Sequence, residues 1–399
     1  MNHTLTLARR HAAKALIVLL FSIPLLAMLV MKDAGTGENR NLAALPATPH
    51  SWQETLAYPG KLDLWLNDHL GLRAQLIELN NLLRYKLFKQ FQTHQLILGH
   101  HGRVFLSAYN PAEAPYSGIQ STCGYGIGAD KVAALVDHIN LFNRTMREQQ
   151  LGGRLVIVPS APVVYGEDLP DWLRARCAST TVPMQRAMAS PQLREPDLVL
   201  YPLAELRAIR AGAAVFPSTY FHWAGAGARL GAELSVQRFW PGQGGEPPPL
   251  RTVTGAQPSD LAHMFPGVRL DSRVETVDTA ASGVTACSGA PCYPEMADVV
   301  SKLWGVTRHS NPAAPLPRLV LITDSFGIAL APWYARYYRD VVQVATNDLG
   351  LLSPAEVVRL KAVLLQKASP QHLLFVYHDG TAQGGGRIEA DMKMLFPPK

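Results

Sequence analysis

Short apolar runs alternate with amphipathic stretches along the second half of the chain. Runs of β-branched and aliphatic residues predict buried strands, whereas apolar positions three and four residues apart predict helices. The predicted strands are 155–158, 198–201, 319–322, 341–345 and 373–377, and the predicted helices are 226–239, 328–338 and 354–366. Alternating strands and helices are typical of a mostly parallel sheet with helices on both faces. The pattern therefore predicts an α/β fold.

The first half of the chain adds helices and a hairpin. Apolar spacing over residues 52–91 predicts two helices broken near Gly71, and residues 95–106 predict a β-hairpin. A long helix with one apolar face follows, with Asp130 as its predicted cap. The proline- and glycine-rich stretch 241–249 fits neither a helix nor a central strand. It opens a predicted loop-rich insertion over residues 241–317.

An almost unbroken apolar run extends from Ala15 to Met31. Its length is at the lower limit for a membrane-spanning helix. Basic residues precede the run and acidic residues follow it, which places the short tail in the cytoplasm and the rest of the chain outside. A cleaved signal peptide is the alternative, but no small-x-small site stands clearly after Val30. The pattern favours an uncleaved N-terminal anchor in the inner membrane.

Composition and charge narrow the class of protein. With 399 residues and 48% hydrophobic content, the chain is long enough for a substantial core and is not a disordered protein. The formal net charge is +6, without a dense basic block. This balance argues against a dedicated nucleic-acid-binding protein and is compatible with an acidic polymer or an anionic membrane surface.

Four cysteines make an even count in a chain that we expect in an oxidising compartment, so disulfides are expected. Cys287 and Cys292 flank a short loop containing glycine and proline, which leaves Cys123 to pair with Cys177. Four free thiols are the alternative. A zinc site is disfavoured because the spacing lacks a Cys-x-x-Cys pair.

Candidate chemistry lies where the strand around residues 319–322 ends. The apolar run stops at Thr323 and is followed by Asp324 and Ser325. In open α/β sheets, the crevice at the carboxyl ends of the strands is where ligands bind, so Ser325 is a candidate nucleophile. The alternative is that Ser325 only caps the next helix, because Ser and Asp are preferred capping residues.

A serine nucleophile needs a base within hydrogen-bond reach. His222 lies just before the predicted helix 226–239, in a loop of the same topological kind as the one that carries Ser325. His378, at the end of the last predicted strand, is the competitor. His138 and His309 are interpreted as incidental.

Two tetrapeptides and several other segments together resemble a known family. Tyr220–Trp223 is similar to an Asp-x-His-Trp motif, and Thr323–Phe326 is similar to a Gly-Asp-Ser-Phe motif. Weaker matches are Asn39–Pro46, Asn67–Arg73, Gly99–Phe105 with His101 in place of an aspartate, and the set Pro159, Tyr165, Leu169 and Pro170. On these residues the chain resembles the SGNH-hydrolase-like alginate O-acetylation proteins, bacterial cell-envelope proteins that move acetyl groups onto secreted polysaccharides.

The resemblance covers most of the chain and implies roles for the two motifs. The histidine motif precedes the serine motif, as in that family and in the reverse of ordinary SGNH hydrolases, which is a circularly permuted order. The resemblance implies that Ser325 is the nucleophile and His222 the base, with Asp324 and Tyr220 as neighbouring site residues. It implies no cofactor, nucleotide or metal.

The chain departs from the family at two positions. Tyr220 stands where the aspartate that orients the histidine is expected, and loss of that carboxylate can lower turnover by about 10⁴. Thr323 stands where a glycine is expected. The chain could therefore act through a Ser–His dyad, recruit another carboxylate such as Asp379, or be a non-catalytic relative that binds polysaccharide.

The resemblance implies a periplasmic O-acetyltransferase that acts on an exopolysaccharide through an acetyl-serine. Its implied partners are the polysaccharide acceptor and a membrane-bound O-acyltransferase that delivers acetyl groups. Acetylesterase activity and a binding or scaffolding role in an export complex are the alternatives. The predicted organisation is a tail and anchor or signal at 1–32, a helical segment at 33–94 and an SGNH-like catalytic domain at 95–399.

Overall fold

A computed structural model describes residues 2–30, 42–243, 245–366, 370–383 and 386–397 of the chain. They divide into two compact units. The first contains the described residues up to Gln92 together with His263–Arg269, and the second contains the remainder. Met31 and the first part of the Asn39–Pro46 segment lie outside the described residues.

The first unit is built from three helices in the described residues, which are α1 (Asn2–Val30), α2 (Trp52–His69) and α3 (Arg73–Phe88). The break predicted near Gly71 is confirmed, and a Cβ there would lie 2.4 Å from the backbone nitrogen of Met28. None of the helices in the described ranges combines the length and hydropathy of a membrane span. The anchor at residues 15–31 stays a prediction.

Residues 263–269 belong to this first unit although they lie far along the chain. The side-chain amide of Asn81 donates a hydrogen bond of 2.9 Å to the carbonyl of Pro266. The rings of Phe91 and Phe265 lie 5.2 Å apart, centre to centre. These contacts hold the 263–269 segment against the end of α3 and the residues that follow it.

The second unit contains eleven strands, which are β1 (Leu96–Leu98), β2 (Val104–Leu106), β3 (Gly153–Val158), β4 (Val199–Leu200), β5 (Thr252–Pro258), β6 (Asp271–Val277), β7 (Thr285–Ser288), β8 (Thr307–Ser310), β9 (Leu316–Thr323), β10 (Tyr338–Ala345) and β11 (His372–His378). Seven of them form the main sheet in the order β4-β3-β11-β9-β10-β8-β7. Neighbours among the first five strands pair parallel, β8 pairs antiparallel with β10, and β7 pairs antiparallel with β8. The predicted α/β fold with a mostly parallel sheet is confirmed.

The helices of the second unit are α4 (Ser117–Cys123), α5 (Ala129–Glu148), α6 (Ala161–Val164), α7 (Asp171–Ala178), α8 (Pro183–Met188), α9 (Leu203–Ile209), α10 (Ala226–Phe239), α11 (Ala297–Val300), α12 (Ala331–Tyr334), α13 (Pro354–Leu364), α14 (Asp379–Gln383) and α15 (Arg387–Leu395). Two predictions need correction. Gly128, not Asp130, occupies the capping position of α5, and Asp130 lies in its first turn. The helix predicted over 328–338 is shorter than expected. It is reduced to the single turn of α12, and β10 already begins at Tyr338.

The insertion predicted over 241–317 as loop-rich is more ordered than its composition suggested. It contains the separate hairpin β5–β6, whose strands pair antiparallel, and the two strands that extend the main sheet at one edge. The strands β7 and β8 escaped prediction because they have four residues each. The strand β5 escaped it because every residue except Gly255 is exposed, so no buried apolar face marks it.

Both expected disulfides are present. Cys123 pairs with Cys177, and Cys287 pairs with Cys292. The first connects the ends of α4 and α7, and the second closes a short loop that follows β7. The prediction of two disulfides is confirmed, and the free-thiol alternative is wrong.

Candidate functional site

Ser325 lies in a single 3₁₀ turn, Ser325–Gly327, directly after the buried strand β9. Its side chain is partly exposed, while Asp324 before it and Phe326 after it are buried. The capping role belongs to Asp324, whose carboxylate accepts a hydrogen bond of 2.9 Å from the Phe326 backbone N–H. The interpretation of Ser325 as only a capping residue is therefore wrong.

Asp324 also holds the end of the neighbouring strand. Its Oδ2 accepts the backbone N–H of His378 at 2.9 Å and lies 3.0 Å from Nδ1 of the same residue. Burial alone raises the pKa of Asp324, but the hydrogen bonds from the His378 ring and from the two backbone N–H groups outweigh it and hold that pKa below its ordinary value. Asp324 is thus an ionised, fully bonded carboxylate that fixes the turn.

The turn accommodates Thr323 because a glycine follows four residues later. A Cβ on Gly327 would lie 2.2 Å from the Cβ of Thr323, closer than two side-chain carbons can approach. The absence of a side chain at Gly327 therefore leaves room for the side chain of Thr323.

His222 is positioned by the segment that leads into α10. The indole N–H of its neighbour Trp223, a fully buried residue, donates a 2.7 Å hydrogen bond to the carbonyl of Phe326. The ring of His222 lies 4.9 Å from that of Phe326, centre to centre. Trp223 and Phe326 are 103 residues apart in the sequence, and this hydrogen bond brings the two predicted motifs into direct contact.

A carboxylate stands behind the imidazole of His222, and it comes from the insertion. Oδ2 of Asp260 lies 2.7 Å from Nδ1 of His222 and accepts the backbone N–H of the same residue at 3.0 Å. Its Oδ1 accepts the backbone N–H of Phe221 at 2.9 Å. Asp260 lies two residues after Pro258, the last residue of β5, and both side chains of the pair remain partly exposed. This arrangement holds the ring in place and leaves Nε2 as the ring nitrogen that Asp260 does not contact.

The structure does not contain a hydrogen bond between His222 and Ser325. Nε2 of His222 is shielded from solvent and has no hydrogen-bond partner within the described residues. Catalytic hydrogen bonds are often long in ligand-free enzymes and tighten when substrate binds. Nε2 is therefore the ring nitrogen of His222 that the described side chains leave without a hydrogen bond.

Neither the Tyr220 hydroxyl nor the Asp379 carboxylate bonds to the ring of His222. The hydroxyl of Tyr220 donates a 2.9 Å hydrogen bond to the carbonyl of Pro258. Asp379 accepts the backbone N–H of Ser160 at 3.1 Å and the hydroxyl of Tyr201 at 3.1 Å, and burial raises its pKa. The suggestion that Asp379 replaces the missing carboxylate is wrong, because Asp260 occupies that place.

Sequence reasoning missed Asp260 because no local motif marks it. It lies 38 residues after His222, in the stretch interpreted as loop. A weak signal was present in the Pro-Ser-Asp tripeptide at 258–260, a turn-forming sequence next to an alternating stretch.

The other histidines that were set aside lie away from this arrangement. His309 is buried on β8, where burial lowers its pKa to about 4, and His138 lies 3.5 Å from Glu389. Across the described ranges, no group of three or more His, Cys, Asp or Glu side chains is placed to hold a metal ion.

No protein-family model matches the chain, and no curated protein sequence matches it. Solved structures similar to it include proteins of the type that its motifs resemble. PatB1 from Bacillus cereus has 14% identity over 67% of this chain and 92% of that one, with a TM-score of 0.45. A DHHW family protein from Eubacterium siraeum has 13% identity over 76% and 95%, with a TM-score of 0.48. The O-acetyltransferase domain of AlgJ from Pseudomonas putida has 16% identity over 74% and 94%, with a TM-score of 0.41.

Proposed function

We propose that this protein transfers acetyl groups to a secreted polysaccharide through an acetyl-serine formed on Ser325. The observation that carries the proposal is the 2.7 Å contact between Asp260 and Nδ1 of His222, next to the turn that presents Ser325. The polysaccharide acceptor is proposed from the resemblance of the two motifs to those of O-acetylation proteins.

In the first half-reaction, the hydroxyl oxygen of Ser325 attacks the acetyl carbonyl while Nε2 of His222 takes the hydroxyl proton. The bond from the acetyl group to the donor oxygen breaks, and His222 returns the proton to that oxygen. In the second half-reaction, a sugar hydroxyl attacks the acetyl-serine, its proton passes to His222, and Ser325 regains a proton as the new ester leaves. Asp260 stabilises the imidazolium that forms in each half-reaction.

The pairing of Asp260 with His222 favours the enzyme over a non-catalytic binding protein. The binding alternative rested on Tyr220, which cannot stabilise an imidazolium as a carboxylate does. Since Asp260 provides a carboxylate from another segment, the substitution at position 220 no longer argues against catalysis.

We also propose that the chain works in the periplasm and receives acetyl groups from a membrane-embedded O-acyltransferase. The two disulfides support an oxidising compartment. A reporter that is active only in the cytoplasm, fused after the last residue, should be inactive. Activity of that reporter would contradict the proposed location.

The proposed function is tested by trapping the acyl-enzyme. After incubation with 4-nitrophenyl acetate, peptide mass spectrometry should find acetyl on Ser325, and Ser325→Ala should abolish the label. Ser301→Ala is the matched control, because Ser301 is an exposed serine whose hydroxyl donates to the Asp298 carbonyl. Absence of acetyl at position 325 in the wild-type protein, or the same rate of release of 4-nitrophenol from Ser325→Ala, would contradict the proposal.

A further inference from the structure

Tyr220 stands where the resemblance predicts a carboxylate, yet its side chain contacts the segment that provides one. Its hydroxyl donates to the carbonyl of Pro258, two residues before Asp260. Burial raises the pKa of Tyr220, and the negative charges of Asp260 and Asp271 raise it further, so the hydroxyl stays protonated and remains a donor at neutral pH.

Four consecutive residues of the histidine loop, 219–222, bond to the hairpin segment 258–260. Ser259 donates its hydroxyl hydrogen to the carbonyl of Thr219, and Tyr220 donates to Pro258. Asp260 accepts the backbone N–H groups of the next two residues, at positions 221 and 222. Residues 219, 220 and 221 therefore each make one of these contacts with the three-residue segment 258–260, and His222 makes two, through its backbone N–H and its Nδ1.

The second strand of the hairpin reinforces the same place. The hydroxyls of Thr219 and Ser272 lie 2.9 Å apart, and the backbone N–H of Thr219 donates to the Ser272 hydroxyl at 3.2 Å. The hairpin is a separate two-stranded sheet, and such hairpins are marginally stable without further contacts. The position of Asp260 thus depends on the contacts that the hairpin makes with the histidine loop.

We propose that Tyr220 is a positioning residue that holds Asp260 against His222 through the Pro258 carbonyl. The inference rests on the proposed function, because it gives the His222–Asp260 pair a catalytic purpose. Tyr220 thus stands at the sequence position where the carboxylate is expected, and it fixes Asp260, the hairpin residue that provides the carboxylate instead.

The test measures the His222–Asp260 contact without substrate. In protein labelled with ¹⁵N-histidine, the Nδ1–H proton of His222 should exchange slowly with solvent, and Asp260→Asn identifies its signal. Loss of one hydrogen bond should speed this exchange about fivefold in Tyr220→Phe. Tyr125→Phe is the matched control, since Tyr125 is a partly exposed phenol near Arg176, outside the hairpin and the histidine loop, and it should leave the exchange unchanged.

Ser259→Ala provides a second test on the same segment and should also speed the exchange. Acylation of Ser325 should fall by a similar factor in both variants. Unchanged exchange in folded Tyr220→Phe would overturn the positioning role. If the wild-type protein is never acylated but exchange still rises in Tyr220→Phe, the positioning role stands and the proposed function fails.

Discussion

Two histidine–aspartate pairs contact the ring of Phe326, and their hydrogen bonds follow the same pattern. In each pair one carboxylate oxygen accepts the backbone N–H of a phenylalanine, and the other contacts both the backbone N–H and Nδ1 of the histidine. The pairs are His222 with Asp260, and His378 with Asp324. They differ in their surroundings.

Exposure separates the two pairs. The side chains of His222 and Asp260 are 29% and 21% exposed, whereas those of His378 and Asp324 are 6% and 2% exposed. The ring of His378 also stacks in parallel on Phe326 with centres 4.3 Å apart. The same local bonding is thus part of the core in the His378–Asp324 pair, whereas the His222–Asp260 pair, to which we assign the proposed proton transfer, remains partly exposed.

The largest expected effect of this difference is on turnover. Asp260→Asn keeps the shape of the side chain but removes the charge and permits the wrong tautomer of His222, so acylation of Ser325 should slow by about 10³–10⁴. Release of 4-nitrophenol measures the rate. Asp278→Asn, near the end of the same hairpin, is the matched control and should retain activity. Equal losses in the two variants would contradict the role of Asp260.

Replacing the aspartate of the buried pair by asparagine should mainly lower the stability of the fold. Asp324→Asn breaks a buried, fully bonded pair and should lower the free energy of unfolding by about 3 kcal/mol. Urea denaturation measures this change, with Asp260→Asn as the comparison at the partly exposed pair. If both variants lose the same stability, burial does not distinguish the pairs.

The smallest expected effect concerns acid pH. The folded-state pKa of Asp324 is lower than its ordinary value of 3.8, so its ionised form stabilises the fold. That contribution is present above the ordinary pKa and is lost as the pH falls through the folded pKa. Asp324→Asn should therefore flatten the stability profile below about pH 4. The measurement is the urea midpoint of unfolding at several pH values across this range. If the midpoint falls as steeply with pH in Asp324→Asn as in the wild-type protein, other carboxyl groups control the acid stability.

The sequence predicted those parts of the site that depend on local pattern. Ser325 follows a buried strand and His222 precedes a helix, so both could be located from hydrophobic periodicity and a short motif. Asp260 could not, because its relation to His222 is set by the hairpin's path in space rather than by spacing along the chain.

The fold shows the same division. Long apolar strands such as β9 were located, since burial on both faces leaves a continuous apolar run. The strands β7 and β8 were missed because they have four residues each and contain polar residues at the edge of the sheet. Edge strands carry little hydrophobic signal because one side faces away from the core.

The place of Asp260 on a hairpin also affects how related chains can be found. A search pattern written as one contiguous Asp-x-His-Trp tetrapeptide rejects this chain, although the carboxylate is present 38 residues later. A pattern that pairs a Phe-His-Trp tripeptide with a Pro-Ser-Asp tripeptide across a gap of variable length accepts it. A chain that lacks the aspartate in the tetrapeptide can still carry it in the segment that follows the first exposed strand after the histidine.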